Sequence, residues 1–223
     1  MDGVLVDSEP IWRAVEREVL AGVGIEVTDE DLMATMGVRV ADVVERWHRQ
    51  QPWDRPSRQE VAEAIVDAVA RAIERNGALN EEAVRAADYV AGLGLRLGLA
   101  SSSPMPLIRA VLSLGGVSDR FEAVLSAEDE EHGKPDPAVY LSAARALVVA
   151  PERCLAVEDS INGVRSAKAA GMVCVAVPAT SAPDDGFEEA DLVLGSMAEF
   201  DGRIWASTGT IPAPVAFGPR GTG

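Results

Sequence analysis

A mostly parallel α/β sheet, interrupted near its start by a helical unit, is the fold that this 223-residue sequence predicts. Three observations point there. From residue 80 onward, short apolar runs alternate with helical stripes, which implies right-handed crossovers between parallel strands. Residues 9–77 carry helical periodicity almost throughout and no strand-like run of any length. Apolar residues make up 48% of the chain but aromatics only 4%. The core is therefore built from Ala, Val and Leu, a composition that suits helices packed on a buried sheet better than an all-β sandwich.

The elements follow in order. Ser8 is placed as the N-cap of a first helix, in which Ile11, Val15 and Val19 recur at i, i+4 spacing. Ser57 with Glu60 forms a capping box. It opens a second apolar stripe of Ala62, Ile65, Val66, Val69 and Ile73. Strands are predicted over 95–100, 123–126, 154–157, 172–177 and 192–194, and helices over 105–114, 138–147 and 163–170. Gly171 stands where a helix C′ glycine belongs. Residues 1–8 and 80–204 thus make an α/β core, 9–79 a helical accessory domain, and 205–223, rich in Gly, Pro and Thr, a disordered tail. One feature is out of keeping: a buried strand takes about 4–8 residues, and none fits before Asp2. Either the sheet starts without its first strand, or the true start lies upstream.

Composition narrows the partners. A formal charge of -16 argues against nucleic acid and anionic membrane as partners. An anionic substrate would need a local positive device: a metal, a Lys or a helix N-terminus. No apolar run approaches a membrane span and no basic-then-apolar leader opens the chain, so a cytoplasmic, monomeric protein is expected. Cys154 and Cys174 sit in apolar runs and read as buried, unpaired thiols. His48 and His132 read as surface residues without ligand partners.

Parallel sheets bind ligands beyond the carboxyl ends of their strands, which directs attention to the polar residues that follow each one. Ser101, Ser102 and Ser103 follow the first predicted strand; Lys134 lies in Gly133-Lys134-Pro135-Asp136-Pro137; Glu158 and Asp159 follow the third. Near the N-terminus stand Asp2 and Gly3, then Val4-Leu5-Val6-Asp7-Ser8. Singly, a Ser triplet is a capping loop, Lys-Pro-Asp-Pro a turn, and Glu-Asp a pair of helix N-terminal acids. Together they bring hydroxyls, one ammonium and carboxylates to a single rim. Carboxylates suit Mg²⁺, and Lys and Ser suit phosphate oxygens.

These segments, Asp2 to Ser8, Ser101, Lys134-Pro135, and Glu158-Asp159-Ser160 with Gly163, resemble the four motifs of the haloacid dehalogenase-like hydrolase superfamily. The match is to the subgroup with a helical cap inserted after the first motif, which includes β-phosphoglucomutase. Gln51-Pro52-Trp53 and Pro56-Ser57-Arg58-Gln59-Glu60-Val61 further resemble bacterial hexitol and 2-deoxyhexose 6-phosphate phosphatases. The resemblance implies a Rossmann-like core and a Mg²⁺-dependent phosphatase of small sugar phosphates acting through an aspartyl-phosphate. Asp2 would be the general acid/base and would offer its backbone carbonyl to the metal. Asp159 and Glu158 would be metal acids. Ser101, Ser102 and Lys134 would bind phosphate, with Arg39 and Trp12 as cap residues facing the substrate. The first motif is Asp-x-Asp, so Met1 stands at x and the nucleophile would precede Met1. The chain as written is then expected to be inactive, with a start assigned to an internal Met as the preferred explanation. A true truncation comes second, and substitution by Asp7 last. A sugar phosphate mutase is the alternative enzyme, and a non-catalytic phosphate- or partner-binding protein the alternative of another class.

Overall fold

A computed structural model describes residues 1–77, 79–178, 186–201 and 204; the tail expected over 205–223 lies outside the described residues. The helical unit comprises α1 (Glu9–Gly22), α2 (Asp29–Ala34), α3 (Val40–Gln50) and α4 (Arg58–Asn76). The predicted capping box starts α4: the Ser57 hydroxyl accepts from the Glu60 amide, and the Glu60 carboxylate accepts from the Ser57 amide. Thr28 and Asp31 repeat the device at α2. Helices α1 and α3 pack on α4, enclosing Leu20, Val43, Trp47, Ile65 and Val69.

One expectation for α1 needs correction. Ser8 makes no side-chain cap; its hydroxyl donates instead to Asp2. The buried positions are Glu9, Glu16 and Leu20, while Ile11, Val15 and Val19 are half-buried. The face of α1 turned inward is therefore partly acidic, because it lies against a polar cavity as well as the apolar core.

Past the cap, α5 (Glu81–Gly92) is a helix additional to those predicted, with the Asn80 side chain accepting from the Glu82 and Ala83 amides. There follow β1 (Gly98–Ser101), α6 (Met105–Leu114), β2 (Ala123–Ser126), α7 (Ala138–Ala146), β3 (Leu155–Glu158), α8 (Ile161–Ala169), β4 (Val173–Ala176) and β5 (Leu192–Val193). Strand β1 is shorter than predicted because its partner β2 pairs only from Ala123. Leu97 contributes a carbonyl to the Glu122 amide and no more. At the end of α8, Gly171 takes φ +79°. Its amide and that of Met172 return to the Lys168 and Ala167 carbonyls, a left-handed cap as expected.

Among the described residues every ladder is parallel, but the sheet is in two parts. Strands β1 and β2 pair with Gly98 opposite Ala123; β3, β4 and β5 form the other part, with Leu155 opposite Val173 and Val175 opposite Leu192. Among the described residues no ladder joins β1 to β3. Between them lies an apolar cleft of about 450 Å³, walled by Leu99, Ala100, Ala156 and Val157 and covered by Ala86 of α5 and Ala143 of α7. At one end the chain turns sharply, with the Leu5 amide donating to the Met1 carbonyl at 2.7 Å. Isolated bridges tie Asp2 to Val6 and Val6 to Leu79.

Both cysteines are free; Cys174 is buried as expected, but Cys154 is half-buried because it precedes the ladder of β3. His132 is exposed. His48 is half-buried, packing edge-on to Trp53 with ring centroids 4.7 Å apart and Nε2 3.2 Å from the Trp53 carbonyl. Among the described residues, no helix is long and apolar enough to cross a membrane.

Ile65 has no exposed surface and joins the cores of α1, α3 and α4. Its replacement by Ala is expected to lower the free energy of unfolding by about 2–5 kcal/mol, measured by urea titration followed by far-ultraviolet circular dichroism.

Candidate active site

The carboxyl ends of β1 and β3, though in separate parts of the sheet, reach one cavity. Ser101 is the last residue of β1 and Glu158 the last of β3. Lys134 reaches the cavity from the loop before α7, and Asp2 from the N-terminal turn. With Ser102, Ser103, Asp159 and Ser160 they line this cavity of about 70 Å³ that Glu9, Trp12, Arg13 and Glu16 of α1 close from the helical unit. The structure thus brings together Asp2, Ser101, Ser102, Lys134, Glu158, Asp159 and Trp12 of the residues singled out in the sequence.

Asp2 is held by three donors. The Ser8 hydroxyl at 2.7 Å and the Trp12 indole N–H at 2.9 Å both reach Oδ1, and the Ser103 hydroxyl at 2.7 Å reaches Oδ2. Trp12 therefore acts on the carboxylate of Asp2 rather than standing free in the cavity. Ser103 is held in turn: its amide donates to Ser101 Oγ at 3.1 Å, and its carbonyl accepts from Ser126 Oγ at 2.8 Å.

Lys134 and Glu158 form a buried ion pair at 2.5 Å, each side chain about one-twentieth exposed. The Tyr140 hydroxyl also donates to the same Glu158 oxygen. Burial, and then the Glu158 charge, push the Tyr140 hydroxyl well above its ordinary acidity range, so it remains a donor. Asp159 differs. It is buried, no donor reaches its carboxylate among the described residues, and burial followed by the Glu158 charge raises its pKa. Gly3 adopts φ +66°, and a Cβ there would overlap the Asp159 carboxylate, so glycine is needed for this approach. Gly163 faces Glu158 under the same constraint.

Among the described residues, no group of three or more His, Cys, Asp or Glu side chains is arranged to hold a metal. Glu158 is turned toward Lys134 and Tyr140, and the Asp2 side chain toward its three donors, which leaves Asp159 the unpartnered acid of the three. A buried carboxylate without a donor, among excess negative charge, is donor chemistry that suits Mg²⁺, which takes one or two carboxylates and otherwise water and substrate oxygens. The residues present fit that ion.

Arg39 does not line the cavity. Its guanidinium pairs with Asp42 at 2.6 Å and donates to the carbonyls of Ala127, Glu130 and Glu131, so it clasps the helical unit to the loop after β2. Ser102 Oγ to the Gly37 carbonyl at 2.6 Å and Asn162 Nδ2 to the Met36 carbonyl at 2.9 Å are further clasps. The sequence reading passed over Glu9, Arg13 and Glu16. Their signal was present: two acids seven residues apart, with Trp12 between them, interrupt the inward face of α1.

The profile of the haloacid dehalogenase-like hydrolase family matches residues 1–171. Hexitol phosphatase B of Escherichia coli (strain K12) is 40% identical over 205 residues, 91% of this chain and 92% of that one. Of solved structures, CbbY from Rhodobacter sphaeroides in complex with phosphate has a TM-score of 0.79 at 27% identity, covering 89% of this chain and 92% of that one. β-Phosphoglucomutase from Clostridium difficile has a TM-score of 0.82 at 23% identity, covering 93% and 94%, a likeness of fold alone.

Burial raises the Glu16 pKa from 4.5 to about 7. Between those values the folded chain binds more protons at Glu16 than the unfolded chain does. Its contribution to stability is thus complete below about pH 4.5 and is lost as pH rises toward 7. Glu16→Gln is expected to gain stability over the parent progressively across that window, then hold a constant advantage, as read from melting temperatures at stepped pH.

Proposed function

Because the chain belongs to the haloacid dehalogenase-like hydrolase family and has hexitol phosphatase B among its relatives, we propose that its site is that of a phosphatase of small polyhydroxylated phosphomonoesters, of hexose or hexitol 6-phosphate type, using Mg²⁺ and an aspartyl-phosphate intermediate. The observation that carries this is the convergence of Asp2, Ser101, Lys134 and Asp159 on one cavity roofed by α1. The helical cap (9–79) closes over the core (1–8 and 80–204) and excludes bulk water.

Lys134, fixed by Glu158, presents its ammonium to the phosphoryl oxygens, and the Ser101 hydroxyl and the backbone N–H of Ser102 hold those oxygens from the end of β1. Mg²⁺, held by Asp159 and the backbone carbonyl of Asp2 with Glu158 directly or through water, would supply neutralisation of the phosphoryl charge. Asp2 carries the proton. Its orientation by Ser8, Trp12 and Ser103 suits donation to the leaving ester oxygen, and then removal of a proton from the attacking water.

Attack forms a carboxylate–phosphorus bond and breaks the ester bond, and requires reacting atoms about 3–3.5 Å apart. With Asp2 engaged as proton carrier, we assign attack to an aspartate directly before Met1, at the end of an apolar strand lying between β1 and β3. The 450 Å³ apolar cleft between those strands supports the assignment. The charge of -16 argues against nucleic acid and an anionic membrane as partners of this enzyme.

Residues 1–223 alone are expected to release no phosphate above background from glucitol 6-phosphate with Mg²⁺. A chain preceded by an apolar strand ending in Asp is expected to do so and to stop with EDTA. In that longer chain, Asp2→Asn is expected to lower kcat by about 10²–10⁴-fold. Ordinary turnover by residues 1–223 would overturn the assignment of the nucleophile. A phosphorylated isomer in place of free phosphate would favour the mutase.

A further inference from the structure

Helix α1 carries two buried acids that the chemistry above does not use. Glu9 is 8% and Glu16 9% exposed, both line the cavity, and among the described residues no hydrogen-bond donor or ion-pair partner reaches either carboxylate. Arg13, on the same stretch of α1, lines the cavity too and also has no ion pair among the described residues. Trp12 is committed to Asp2 and Thr35 to carbonyls of its own helix.

A spacing of seven residues places both acids on one face of the helix, about 10 Å apart along its axis. Glu9 is the nearer to the phosphate end, since the charges of Asp159 and Asp2 bear on it; Glu9 and Glu16 also bear on each other. Beside them the cap contributes the apolar side chains of Leu32, Val38 and Val40 to the lining. Carboxyls buried without donors are costly, and a ligand that brings hydroxyls satisfies them. An ester with a bare hydrocarbon chain would leave them unpaired, which is how a polar site rejects an analogue lacking the hydroxyl.

We propose that Glu9 and Glu16 accept hydrogen bonds from the hydroxyls of a straight-chain polyol phosphate, reading its carbon chain outward from the phosphate held at Ser101 and Lys134. The inference rests on the phosphatase reading and sets its substrate class. Each carboxyl oxygen can accept from a neighbouring hydroxyl, and the separation of the two acids suits an extended six-carbon chain.

Calorimetric titration of residues 1–223 with Mg²⁺ and three probes tests this: inorganic phosphate, glucitol 6-phosphate and hexyl phosphate, the last having the same chain without hydroxyls. The parent is expected to prefer glucitol 6-phosphate over hexyl phosphate by about tenfold, the upper end of what one hydrogen bond contributes. In Glu9→Met and Glu16→Met, which keep length without an acceptor, the ratio of the two affinities is expected to fall about tenfold while the melting temperature rises. Glu16→Gln, which keeps one acceptor, is expected to restore part of the ratio. A ratio unchanged in both Met variants overturns the proposal. A parent that binds all three probes without preference also overturns it and leaves the phosphatase reading standing. A parent that binds none of them removes that reading, and the proposal falls with it.

Discussion

The Lys134–Glu158 ion pair is the interaction on which the rim of the core depends. At 2.5 Å and almost wholly buried, it joins the loop before α7 to the end of β3, and Tyr140 ties α7 to the same carboxylate. Breaking a buried pair by removing one partner leaves an uncompensated charge, a far larger penalty than the pair's own contribution. The pair therefore fixes where the Lys134 ammonium stands and leaves Asp159, among the described residues, as the acid of the rim without a hydrogen-bond donor. Gly3 and Gly163 are the backbone counterpart of that constraint, since a side chain at either would displace a carboxylate.

A second layer of order comes from the clasps between helical unit and core. Arg39, Ser102 and Asn162 all bind main-chain carbonyls across the boundary. Carbonyl partners do not depend on side-chain identity, so these contacts set the position of α1 over the rim whatever substrate it meets. The indole of Trp12 completes the arrangement by linking that helix directly to Asp2.

Much of this was legible in the sequence. The alternation of apolar runs marked β1 to β5, and the Ser57–Glu60 capping box and Gly171 marked helix ends, because each is a local device whose signal lies within a few residues. The gathering of Asp2, Ser101, Lys134 and Asp159 was legible because strand ends of a parallel sheet share an edge. What was not legible depended on distant partners. Ser8 is an N-cap by its spacing, but Asp2 captures its hydroxyl. Arg39 reads as a ligand-facing cation until the carbonyls after β2 are seen to occupy it. Glu9 and Glu16 were hidden by the habit of reading an inward helix face as apolar.

The divided sheet has a consequence for behaviour in concentrated solution. Along the cleft, among the described residues, no ladder joins β1 to β3. Unpaired strand edges flanked by apolar walls act as templates for any extended apolar segment that reaches them. A segment from another copy of the chain would serve as well as a neighbouring one, so self-association through this slot should scale with protein concentration and be suppressed by whatever strand occupies it.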